Sequence, residues 1–142
     1  MGLESTGRAH WEGDLTEGSG TATLDSGAAG PMQVTWKART EAHDGLTSPE
    51  ELIAAAHAAC FCMAFSARLG KAGGTRIVLD AEATATFVPG EGITGVSLSV
   101  RGSADGVSEE DFLSLAEDAK ENCPVSQALT GSVPITFDAV VA

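Results

Sequence analysis

The most reactive side chains in this 142-residue sequence are its three cysteines, Cys60, Cys62 and Cys123. A thiol can act as nucleophile, redox group, metal ligand or inert core filler, and its surroundings decide which. Cys60 and Cys62 lie in an Ala-rich stretch with helical character. Two residues on a helix point about 200° apart, so this pair can neither share a metal nor close a disulfide. Cys62 therefore reads as a small buried hydrophobe. Cys123 directly precedes Pro124, a residue suited to the first position of a helix. At a helix N-terminus the dipole and the free N–H groups favour a thiolate. A helix-boundary residue without chemistry fits the same position, and composition leaves both open.

His57 stands one helical turn before Cys60, and with Cys123 these make three possible zinc ligands. Structural zinc takes four ligands, catalytic zinc takes three plus water, and the chain has no Cys-x-x-Cys pair. His57 is better explained as a core histidine with a hydrogen-bond partner. A thiolate at neutral pH needs a nearby cation, and the chain carries only eight lysines and arginines. Arg39 is one of them, and Glu50 is a carboxylate able to hold it in place. Glu50 and Glu51 also suit a first helical turn, where they complement the dipole. The residues permit an Arg39–Glu50 pair around Cys60 without demanding it.

The element that must position Cys60 runs from Ser48 to Leu69. Ser48 with Glu51 forms a capping-box pattern, Pro49 suits the first helical position, and Gly70 can close the helix in a left-handed cap. Between Leu52 and Ala67 only His57 and Ser66 are strongly polar, so the helix is expected to be buried on nearly every face. That apolar run is shorter than the roughly 20 residues of a membrane span, and charged residues flank it, which favours a protein core.

Around this helix the sequence predicts strands at Arg8 to Asp14, Thr21 to Leu24 and Met32 to Ala38. The last has Met32, Val34, Trp36 and Ala38 at period two, with Arg39 at the mouth of the loop that follows. Ile77 to Val88 alternates cleanly, and Pro89 to Gly92 turns it into a second strand, Ile93 to Val100. Ser108 caps a helix to about Glu121, a short helix spans Val125 to Leu129 with Cys123 at its N-cap, and Val133 to Val141 is a last strand. The order β-β-β-α-β-β-α-α-β predicts a single α+β domain over residues 1–142, with antiparallel sheets wrapped around a long buried central helix.

A net charge of −12 argues against binding to nucleic acid or to an anionic membrane surface. The first ten residues lack the apolar core of a signal peptide, so a cytoplasmic location is expected. Three cysteines in such a protein do not make a disulfide scaffold.

Two separated motifs carry a resemblance. Ser-Pro-Glu-Glu-Leu-Ile-Ala-Ala-Ala-His-Ala-Ala-Cys-Phe at 48–61 and Asn-Cys-Pro-Val-Ser-Gln-Ala-Leu at 122–129 are similar to the OsmC/Ohr family of osmotically inducible and organic hydroperoxide resistance proteins. Ala9 to Asp14 and Gly20-Thr21 resemble the OsmC branch. The resemblance implies a thiol peroxidase that uses no metal, haem or flavin cofactor. By position it makes Cys60 the peroxidatic thiol, Cys123 the resolving thiol, Glu50 the carboxylate and Arg39 its arginine. It implies an organic hydroperoxide as substrate and a lipoyl-type dithiol, such as a lipoylated protein, as reductant. The segment from Arg39 to Pro49 is slightly longer than the OsmC pattern, and Cys62 replaces a small residue such as Ser. Phe61, Met63, Phe65 and the Ala faces are expected to surround Cys60 with apolar surface. The rival expectation is a non-catalytic module that holds an apolar ligand or serves stress-related interactions.

If Glu50 and Cys60 serve one site, helix geometry requires a second chain. Ten residues on one helix span about 15 Å, too far for both to border a small site. A two-fold axis near residue 55 sets two antiparallel helices side by side, with Glu50 of one chain level with Cys60 of the other. A homodimer with shared sites is therefore expected, and it also accounts for a helix apolar on all sides.

Overall fold

The computed structural model describes residues 2–142 and shows a mixed α+β chain. It divides into two compact units, one up to Leu52 and one from Ile53 to Ala142.

The first unit holds β1 (Gly7–Glu12), β2 (Ser19–Leu24) and β3 (Met32–Val34), an antiparallel sheet in chain order. The predicted strand Met32 to Ala38 stops at Val34, and a short helix, α1 (Trp36–Thr40), replaces its second half. Thr35 causes the switch: its hydroxyl accepts a hydrogen bond from Ala38 N–H at 3.0 Å, an N-cap that diverts the chain from the extended path. Period-two apolar spacing at Trp36 and Ala38 hid that cap. Arg39 consequently lies on a helix rather than at a loop mouth.

Helix α2 (Pro49–Lys71) follows the predicted start. The Ser48 hydroxyl accepts from Glu51 N–H at 3.1 Å, while the Glu51 carboxylate accepts from the Thr47 hydroxyl at 2.7 Å. Gly70 stays helical, and Gly73, at φ 88°, takes the left-handed position instead. Gly74 N–H then bonds Leu69 C=O at 2.8 Å, so the helix ends at Lys71, two residues later than predicted, in a glycine-dependent turn. A Cβ on Gly74 would lie 2.8 Å from the Leu69 carbonyl oxygen, so only glycine passes there.

In the second unit α2 packs with β4 (Thr75–Val88), β5 (Gly92–Asp105), α3 (Glu109–Asn122), α4 (Pro124–Leu129) and β6 (Ile135–Val141). The predicted β4–β5 hairpin forms in antiparallel register, from Thr75 opposite Asp105 to Val88 opposite Gly92. β6 corrects the all-antiparallel expectation, because it pairs with β5 in parallel, Leu98 opposite Phe137. The chain reaches it by a helical crossover through α3 and α4, which returns it in the same direction. Ser108 caps α3 as predicted, its hydroxyl accepting from Asp111 N–H at 3.1 Å.

Phe61, Phe65 and Leu69, spaced four apart, give α2 its core face. They meet Leu98 and Val100 of β5 and Phe112, Ala116 and Ala119 of α3. Phe65 and Phe112 pack edge to face with centroids 4.9 Å apart, and Phe61 lies 5.4 Å from Phe137. An Arg68–Asp118 ion pair adds a polar tie from α2 to α3.

The expectation of burial on every face does not hold for one chain. Ala55, Ala56, Ala59, Met63 and Ala67 of α2 are exposed, Met63 to 72%. At 100° per residue they fall within about a third of the helix circumference, opposite the phenylalanines. At 23 residues the helix is also longer than the apolar run suggested, long and apolar enough by composition to cross a bilayer. Its Phe61, Phe65 and Leu69 nonetheless lie in the protein core.

Candidate active site

The first unit builds a fixed cation. Arg39, on α1, meets Glu50, in the first turn of α2, with Nη2 2.7 Å and Nε 2.9 Å from Oε1, and Nε 3.2 Å from Oε2. Glu50 is 5% exposed and Arg39 more open, with its guanidinium carbon 6.0 Å from the centre of the Trp36 ring. Two nitrogens on one carboxylate fix the guanidinium plane, which a lysine could not match. The diverted strand matters here, since α1 carries Trp36 and Arg39 together.

The second unit builds a thiol pair. Cys60 is half-buried on α2, and Cys123, fully buried, is the N-cap of α4, with Pro124 at the first helical position. The two thiols are neighbours and interact with each other. Burial, the largest effect, pushes the Cys60 thiol up. The Val125 backbone N–H, in the first turn of α4, pulls it down, and the neighbouring Cys123 thiol pushes it up again. One N–H of a short helix therefore faces the Cys60 sulfur, but the net balance keeps that thiol protonated at neutral pH.

Cys62 points elsewhere, as its spacing predicts. Burial pushes its thiol up, the Asp80 carboxylate on β4 adds to this, and the Ala81 backbone N–H partly opposes both. It lines an open groove of about 540 Å³ with Met63, Ser66, Ala67, Ile77 and Leu79. Phe61 and Phe65 are fully buried in the core, so neither offers surface to a substrate. Among the residues predicted to surround Cys60, Met63 and the outer alanines are the exposed ones.

His57 is a core histidine, fully buried, with Nε2 2.7 Å from the Ser126 hydroxyl of α4. Its Nδ1 has no hydrogen-bond partner among the described residues. Burial lowers its pKa, so the ring is neutral. Sequence reasoning missed Ser126. The available signal was spacing: Ser126 follows Cys123 by the same three residues that separate His57 from Cys60. Among the described residues, no group of three or more His, Cys, Asp or Glu is placed to hold a metal ion.

The structure thus joins Arg39 to Glu50, and Cys60 to Cys123. Residues 42–138 match the family model described as OsmC-like protein. The chain is 38% identical over 140 residues to peroxiredoxin OsmC of Escherichia coli, covering 96% of this chain and 97% of that protein. It is 30% identical over 96 residues to the organic hydroperoxide resistance protein OhrA of Bacillus subtilis, covering 65% of this chain and 66% of OhrA. Its fold is similar to the crystal structure of an organic hydroperoxide resistance protein OsmC from Legionella pneumophila, with a TM-score of 0.71, 23% identity and 97% coverage of both chains. An OsmC-like protein from Mycoplasma pneumoniae gives a TM-score of 0.70 at 17% identity over 100% of this chain and 99% of that one.

Proposed function

The chain belongs to the family of OsmC-like proteins, and from that membership we propose that it is a cysteine-based peroxidase that reduces organic hydroperoxides. The single observation that carries the mechanism is that the Cys60 and Cys123 thiols lie close enough to interact. In the first step Cys60 thiolate attacks the terminal peroxide oxygen, the O–O bond breaks, and the leaving alkoxide takes a proton to become the alcohol. Cys60 is left as a sulfenic acid. Cys123 thiol then attacks that sulfur and water leaves, closing a Cys60–Cys123 disulfide with no further oxidant, the Cys60 sulfur being reduced as the Cys123 sulfur is oxidised. An external dithiol of lipoyl type reopens it by two exchange steps and is itself oxidised to a disulfide. No metal or prosthetic group enters this cycle.

Attack requires a thiolate, and burial with Cys123 alongside pushes the Cys60 thiol the wrong way. The balancing charge in this scheme is Arg39, held by Glu50, and it comes from a second copy of the chain. The exposed apolar face of α2 supports that arrangement, since Ala55, Ala59 and Met63 suit an antiparallel copy of the same helix. Pairing about residue 55 sets Cys60 of one subunit level with Glu50 of the partner subunit. Such a site has one long apolar side chain, Met63, and small alanines near its rim, which suits an alkyl peroxide.

Steady-state turnover tests the assignment. Wild-type protein is expected to consume an organic hydroperoxide with dihydrolipoamide as reductant, more slowly hydrogen peroxide, and Cys60→Ser is expected to consume neither. Undiminished turnover in Cys60→Ser would overturn the assignment. A wild-type protein that binds the hydroperoxide without consuming it would leave an apolar-ligand module in its place.

A further inference from the structure

His57 is the one buried titratable side chain that the cycle above leaves without a task. Its position is specific. It lies three residues before Cys60 on α2, and its only hydrogen-bond partner among the described residues, Ser126, lies three residues after Cys123. The His57–Ser126 bond and the Cys60–Cys123 contact therefore run side by side between the same two helices, one turn apart on α2 and within the first turn of α4. From this geometry we propose that His57 and Ser126 are positioning residues for the resolving step, holding α4 against α2 so that Cys123 reaches the Cys60 sulfenic acid before a second peroxide does.

The physical case rests on what holds α4. It is a helix of six residues, too short to be stable by itself, so its placement depends on contacts. Its side chains facing α2 are few: Cys123 and Ser126 are its fully buried ones. A buried imidazole with one nitrogen already unpaired cannot release the other without admitting water or moving. The Ser126 hydroxyl of α4 is thus tied to a buried ring on α2, and this directional contact sets where α4 lies against that helix. Whichever atom carries the proton, donor and acceptor are matched as long as the ring stays neutral, and burial keeps it so. A hydrophobic pair of similar size would satisfy stability without leaving a nitrogen unpaired. The polar pair adds direction, which dispersion contacts lack.

Speed of closure matters chemically. Cys60–SOH plus Cys123–SH gives the disulfide and water, while Cys60–SOH plus a second hydroperoxide gives the sulfinic acid and the alcohol. The two steps compete for one intermediate, so a small displacement of Cys123 changes the partition between them.

This proposal rests on Cys123 being the resolving thiol, and the test separates the two. In full-length protein, attack is followed by trapping the Cys60 sulfenic acid, and closure by rapid quench and mapping of the Cys60–Cys123 peptide. Ser126→Ala is expected to keep attack within about twofold of wild type, to slow closure at least tenfold, and to raise Cys60 sulfinic acid at excess peroxide. Ser126→Thr and Ser126→Val share a shape and differ in the hydroxyl, so packing strain is common to both. Closure is expected to recover in Ser126→Thr and not in Ser126→Val. Equal closure rates in those two variants overturn the proposal. A wild-type protein that never forms the Cys60–Cys123 disulfide overturns the peroxidase reading and this proposal together. A normal wild-type disulfide with unchanged closure in Ser126→Ala overturns this proposal alone.

Discussion

Arg39 and Glu50 form a bidentate ion pair, with two guanidinium nitrogens within 2.9 Å of one carboxylate oxygen. The pair joins a helix of five residues to the first turn of a helix of 23. Its carboxylate is nearly buried, so the arginine is held more firmly than an exposed ion pair would hold it.

A fixed guanidinium is useful only if something is placed beside it. Arg39→Ala is expected to slow alkylation of Cys60 at neutral pH and to reduce peroxide attack by about 10²-fold, the scale of losing one donor to a developing oxyanion. Alkylation rate against pH checks this. An unchanged profile with equally fast attack would remove Arg39 from the mechanism, leaving Arg68 and Arg76 to be tested.

Shared sites make a sharper prediction. Cys60→Ser and Glu50→Ala subunits are each expected to be inactive alone. Refolded equimolar mixtures are expected to recover roughly a quarter of wild-type activity, because half the dimers are mixed and each holds one intact site. Proven heterodimers without recovered activity would show that each site belongs to one chain.

The elements that carry the candidate side chains were legible in the sequence where their signals are local. Cys60 and Cys62 diverge as helical spacing requires, and Cys123-Pro124 marks a helix start that is present. What escaped was set by competition between local signals or by distant partners. Trp36 and Ala38 have strand spacing, yet the Thr35 hydroxyl caps a helix there. Gly70 was the nearest helix stop, yet the chain uses Gly73 and Gly74, where the turn can close on Leu69. The parallel β6 depends on a crossover that no local pattern announces. Ser126 is 69 positions from His57, and only their matching offsets from Cys123 and Cys60 hint at the contact.

Histidine 57 gives a pH signature. Its folded pKa lies below the ordinary value of 6.5 because burial disfavours the charged ring. Between the lowered value and 6.5 the unfolded chain binds more protons than the folded one, so stability falls as the pH drops through that window and is fully present above it. Urea midpoints between pH 4.5 and pH 7.5 check this in wild type and His57→Gln, with a shallower dependence expected in the variant. Identical slopes would contradict it.

The core makes its own prediction. Phe65 is fully buried between Phe61 and Phe112, so Phe65→Ala is expected to cost about 3–5 kcal/mol, by lost burial and the cavity left. Denaturant unfolding of the reduced protein measures it, and a cost below about 1 kcal/mol would mean that α2 does not depend on this packing.

The central claim is that Cys60 and Cys123 act as one redox pair and that Cys62 stands apart from it. Intact-mass analysis after one equivalent of an organic hydroperoxide, followed by peptide mapping without reductant, tests that most directly. The expected result is a loss of two hydrogens, a peptide joining Cys60 to Cys123, and a Cys62 thiol that remains free to alkylate. An unchanged mass, or a crosslink that includes Cys62, would contradict the account.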